Sequence, residues 1–146
     1  MKQTLTIILL TVTTFSFGQT NILTKYHKAD SLLQVDNYLD AYTILKEIET
    51  KCDIKDTLYN YILWCYVGAT TELEKQNRTT EKFDMSLQFG LEALKLIEKG
   101  KTFFDEKFAS REYWMQKNII VSYFGLGQLD QAEKQKKILY KAYKEK

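Results

Sequence analysis

The chain has 146 residues, of which 45% are apolar and 14% aromatic, enough for one domain with a real hydrophobic core. Lys and Arg number 21 against 19 Asp and Glu, a net charge of only +2; that balance argues against nucleic acid as a principal ligand, because phosphate binding needs a concentrated basic surface. Proline is absent, so no segment carries the strongest helix breaker.

Residues 1–18 have the pattern of an export signal. Lys2 gives a positive start, Leu5 to Phe17 is an apolar run, and Ser16-Phe17-Gly18 sets small residues at the positions a signal peptidase reads. Cleavage is expected between Gly18 and Gln19, leaving residues 19–146 as a single exported domain, periplasmic or extracellular. The apolar run is shorter than the roughly 20 residues that span a bilayer, so no membrane span is expected after cleavage. No cysteine follows it, which argues against a lipid-modified N-terminus.

Six helices are predicted between residues 19 and 146. The first covers Ile22 to Val35, with Tyr26, Ala29, Leu32 and Leu33 on one face. Asp36 and Asn37 are turn and N-cap residues. The second helix runs from Tyr38 to Lys51, with Ala41, Ile44, Leu45 and Ile48 at helical spacing. The third, Asp56 to Glu74, is apolar nearly all round and is therefore expected to be buried on several sides. Trp64 is expected to be an anchor whose truncation to alanine costs about 3–5 kcal/mol. Gln76 to Thr80 reads as a polar loop in which Thr79 or Thr80 caps a fourth helix, Glu81 to Lys99, and Gly100 as its stop. The fifth helix starts near Phe104 or Asp105 and runs to Leu126, and Gly127 ends it. The sixth, Leu129 to Lys144, has a thin apolar stripe and five lysines.

A period runs through these elements. The small residues Ala41, Ser86 and Ala132 lie 45 and 46 residues apart, and Ile48, Ala93 and Leu139 keep the same spacing. A fixed period of this size means stacked helical hairpins, and such stacks are usually binding scaffolds. The hairpins resemble tetratricopeptide repeats. Trp64, Val67 and Gly68 match part of that family's W-x-x-L-G-x-x-Y pattern, with Thr71 in place of the aromatic; Tyr123 and Ala132 match in the last copy, and Ala29, Leu32 and Ala41 in the first. The resemblance covers Leu23 to Tyr143. The family's 34-residue period and closing proline are missing here, and the longer period also suits a HEAT-like or armadillo-like stack. The expected fold is all-α: an α-solenoid of three antiparallel helix pairs.

The chemical inventory is thin. His27 is the single histidine, and no Gly-x-Ser-x-Gly elbow, HExxH, phosphate loop or CxxC is present. No enzyme activity, cofactor or metal is expected. Cys52 and Cys65 are expected to stay reduced, exposed and buried respectively: nine residues of helix place Cys65 about 14 Å beyond the helix start, whereas a disulfide needs Cα atoms within about 7 Å. Asn77-Arg78-Thr79 is a glycosylation sequon in the polar loop.

Two surfaces remain as binding candidates. The resemblance implies a concave groove lined by the first helix of each pair, carried here by Tyr26 and Asp30, Ala69 and Glu72, and Lys117, Val121 and Phe124. A mixed apolar and charged groove suits an extended peptide or a partner helix. The lysine-rich last helix is the second surface, facing an acidic protein or anionic lipid. The sequence therefore points to a protein-interaction scaffold that binds a peptide or partner protein. The alternative is an envelope structural protein that self-associates into homo-oligomers through its helical ends.

Overall fold

A computed structural model describes residues 21–144, so the export-signal pattern at 1–18 lies outside the described residues. Among the described residues the chain is helical throughout, without strands, and no helix is long and apolar enough to cross a membrane. It divides into two compact units, with the boundary between Ile62 and Leu63.

In the first unit, α1 (residues 21–33) and α2 (Tyr38–Glu49) are joined by a tight turn. Asp36 adopts a left-handed backbone (φ 58°). This lets the Asn37 N–H reach back to the Leu32 carbonyl (2.9 Å) and the Asp36 N–H to that of Leu33 (3.2 Å), the pairing that satisfies the last carbonyls of a helix. Asn37 then accepts from the Asp40 N–H at the start of α2. Ala29, Ala41, Leu45, Ile48 and Ile62 are fully buried. Glu47 accepts from Lys25 on α1 (2.7 Å) and from Lys51 (2.5 Å). The hydrogen bonds from these two ammonium groups hold its carboxyl down at about 2. A depressed carboxyl contributes stability above the ordinary glutamate range, and the contribution is lost as pH falls toward 2. The pair is exposed, so salt screens it.

The second unit holds α3 from Leu63 onward (the helix as a whole is Thr57–Thr79), α4 (Phe83–Gly100), α5 (Glu106–Ala109), α6 (Arg111–Gly125) and α7 (Leu129–Lys144). α4 packs on α6, α6 on α7, and the short α5 on both α4 and α6. The ends of α3 and α6 repeat the first turn. Glu81 (φ 59°) and Gly127 (φ 69°) are left-handed. Lys82 N–H bonds Asn77 O (2.8 Å) and Gln128 N–H bonds Tyr123 O (2.9 Å). Asp36, Glu81 and Gly127 are 45 and 46 residues apart, and five residues after each comes a fully buried small residue: Ala41, Ser86 and Ala132. The sequence period is therefore a period of one turn geometry.

Several expected boundaries move. Gln76 to Thr79 is helix, not loop, because no residue there breaks a helix. Arg78 also pairs with Glu74 one turn back (2.8 Å), and the Thr79 hydroxyl donates to the Lys75 carbonyl instead of capping α4. The sequon therefore lies within α3, where the Asn77 amide donates to the Leu73 carbonyl (2.8 Å). The fifth predicted helix is two: Asp105 caps α5 by accepting from the Phe108 N–H (2.9 Å), and Ser110 separates α5 from α6. Gly100 is the last residue of α4 rather than a stop beyond it. It is buried, and a Cβ there would run into the Phe108 ring. Gly125 approaches Phe83 in the same way. Phe108 is fully buried and cannot swing aside, whereas Phe83 is half-buried and can. Gly100→Ala is thus expected to destabilise by about 2–3 kcal/mol and Gly125→Ala by less than about 1, compared by urea unfolding.

Trp64 is not the buried anchor the pattern predicts; it is 45% exposed, and Tyr61 one turn earlier is 62% exposed. α3 therefore has an open side. Cys52 is half-buried rather than exposed, as is Cys65, and neither forms a disulfide. Burial and the carboxylates of Asp56, Asp53 and Glu49 push the Cys52 thiol up, so little of it is thiolate near neutral pH.

Candidate functional site

The site is built on α3, α4 and α6 of the second unit. Arg111 lies over the Trp64 ring (4.6 Å), and ten residues further along α3, Glu74 accepts from the Asn118 amide (2.9 Å). The two contacts advance together, so α3 and α6 run parallel. α4 runs against both. The Tyr66 hydroxyl donates to Glu92 (2.6 Å) while the Ser86 hydroxyl donates to Glu74 (3.1 Å). Gly90 closes on Ile119 and Met115 of α6.

One buried carboxylate ties the three helices. Glu74 has no exposed surface and accepts from Arg78, Ser86 and Asn118; Ser86 in turn shares a hydrogen bond with Ser122 (2.8 Å), whose hydroxyl also reaches the Asn118 carbonyl. Ser86 and Ser122 are likewise sealed from solvent. No substrate reaches these hydroxyls, so the cluster acts by holding α3 and α6 side by side, and the outward faces of both helices follow from it.

On α6 the outward face is apolar. Trp114, Val121 and Phe124 are 57%, 43% and 44% exposed, and Lys117 stands among them. Positions 114, 117, 121 and 124 follow the three-four spacing that a partner helix reads as one seam. The Lys117 ammonium lies 5.3 Å from the centre of the Trp114 ring and has no carboxylate partner among the described residues. Tyr113 packs edge-on against Trp114 (5.4 Å). On α3, Trp64, the half-exposed Gly68 and Glu72 face outward; a Cβ at Gly68 would meet nothing within 4 Å. Glu72 pairs with Lys75 (3.2 Å). Trp64 rests on Phe104 and Phe108, and Arg111 covers it.

Of the residues the sequence nominates, Lys117, Val121 and Phe124 share the α6 stripe. Glu72 sits on the outward side of α3. Ala69 has no exposed surface and so cannot line a binding face; it lies one position round the helix from Gly68, on the packed side. Tyr26 and Asp30 belong to the first unit, half-exposed on α1, where the Tyr26 ring packs against His27 (5.5 Å) and Tyr61 (6.5 Å). Trp114 and Trp64 are not among the nominated residues. The signal for Trp114 is present in the sequence: it precedes Lys117 by three residues and Val121 by seven.

Among the described residues no three His, Cys, Asp or Glu side chains gather as a metal site would require. Comparison with family models, curated proteins and solved structures finds no match to the chain.

Proposed function

We propose that this protein is an exported, non-catalytic interaction module whose hairpins α1–α2, α3–α4 and α6–α7 are successive copies of a tetratricopeptide-like repeat forming an α-solenoid. Its partner docks along the outward face of α6, flanked by Trp64, Gly68 and Glu72 of α3. The observation that carries this reading is the open stripe of Trp114, Val121 and Phe124. Exposed apolar residues scattered singly are ordinary, whereas a contiguous row of large side chains at seam spacing marks an interaction surface. The repeated left-handed turn at Asp36, Glu81 and Gly127 supports the repeat. The partner segment is an amphipathic helix with apolar residues at the same spacing and a carboxylate opposite Lys117.

The test is capture of the partner from cell-envelope extract, read by mass spectrometry and repeated with Trp114→Ala and Lys117→Glu. A central tryptophan at an interface typically carries about 2 kcal/mol or more, about 30-fold in affinity. Both variants change exposed side chains and keep the fold. Loss of one specific protein with each supports the module; a partner held equally by all three places the site elsewhere. Recovery of only a second copy of the chain, lost with Trp114→Ala, turns the reading into self-association through the same face.

A further inference from the structure

The charge of this molecule is concentrated on one helix. α7 carries Lys134, Lys136, Lys137, Lys141 and Lys144 against Asp130 and Glu133, a net of +3, so the remainder of a chain of net +2 is slightly acidic. Four of these lysines, with Glu133 and Tyr140, line an open recess of about 500 Å³. Glu133, the one acid among them, is engaged by Lys136 (3.2 Å). Tyr140 is 61% exposed with the Lys144 ammonium over its ring (4.9 Å).

We propose that this face of α7 docks on an anionic lipid surface. All six lining residues belong to one helix, so the recess has no second wall to grip a strand or helix, whereas a row of cations about 12 Å long lies flat on a plane of headgroups. The cations are all lysines. A lysine is a point charge on a flexible stem, suited to a diffuse field of phosphates, where an acidic peptide bound with fixed geometry favours the arginine fork. Tyr140, within the lysine row, is placed as a shallow anchor at the boundary between headgroups and acyl chains. The absence of a broad apolar face keeps the helix on the surface. Docking through α7 is independent of the α6 stripe.

The experiment is co-sedimentation of the purified protein with phosphatidylcholine vesicles, with and without phosphatidylglycerol. Lys137→Glu with Lys141→Glu is compared with Lys95→Glu plus Lys107→Glu, an exposed pair on α4 and α5 that makes the same change in net charge. Each lysine near an anionic surface is worth about fivefold in binding. The α7 pair is therefore expected to weaken binding to phosphatidylglycerol vesicles by more than about tenfold, the control pair by far less. About 1 M salt, with a screening length near 3 Å, should release the protein. A milder Lys137→Gln plus Lys141→Gln pair should move binding in the same direction. Binding to phosphatidylcholine alone at equal strength, equal losses from both pairs, or capture of a labelled polyglutamate peptide without vesicle binding would each overturn the proposal. The last outcome would assign the face to an acidic protein.

Discussion

Phe108→Ala is expected to destabilise the protein by about 3–5 kcal/mol, and Trp64→Ala by only about 1–2. Phe108 is 1% exposed and wedged between Trp64, Phe104 and Gly100, with the Arg111 guanidinium 5.3 Å from its ring centre. Truncation leaves a cavity that α4, α5 and α6 cannot close, because Gly100 offers no side chain to fill it. Trp64 gives up less, since nearly half of it is already in water and its stacking with Arg111 is worth about 0.5–1 kcal/mol. Urea unfolding of the two variants and the wild type decides the order. A larger loss from Trp64→Ala would mean that the aromatic cluster is inverted relative to this structure.

Glu74→Ala is the second large effect, expected at about 2–4 kcal/mol. The side chain accepts from three residues on three helices; its removal leaves the sealed Ser86 hydroxyl with Ser122 alone and the half-buried Asn118 amide without its acceptor. Arg78 is 26% exposed and can turn to water, which limits the cost. Glu74→Gln fills the volume and keeps one acceptor, so it should cost less than alanine but more than nothing, with an amide facing Asn118. Thermal unfolding checks the order wild type, Gln, Ala. If Glu74→Ala melts with the wild type, the carboxylate does not join α3, α4 and α6.

The repeat is legible in the sequence because turn chemistry and small-residue spacing are local. Ala41, Ser86 and Ala132 mark the period directly, and the left-handed residue five positions earlier arises from the need to end one helix and start the next within a few residues. Asp36 and Gly127 advertise that role; Glu81 does not, since glutamate seldom takes a left-handed backbone, and sequence reasoning therefore puts the turn after α3 too early, at Gln76 to Thr80. The depth of Trp64 and Phe108 is not legible. Both are large aromatics in helical patterns, and which one is buried depends on α5, a four-residue helix with no periodicity to detect. Glu74 is hidden for a related reason: a glutamate near a helix end reads as solvated charge until Ser86 and Asn118 are brought to it. Three of the four α6 stripe positions, Lys117, Val121 and Phe124, are already nominated by the repeat resemblance, and Trp114 completes them at the same helical spacing. Ala69 fails because a one-residue step along α3 turns the side chain by about 100°, from the open side at Gly68 to the packed side.

The most direct measurement is site-specific photocrosslinking in the living cell. A photoreactive phenylalanine analogue is placed at Phe124 on the α6 stripe and, in a second strain, at Lys95 on the exposed side of α4. A discrete adduct from position 124, absent from position 95, is the expected result, and its mass identifies the partner. Adducts of equal yield from both positions, or none from position 124, would contradict the assignment of the α6 stripe as the interaction face.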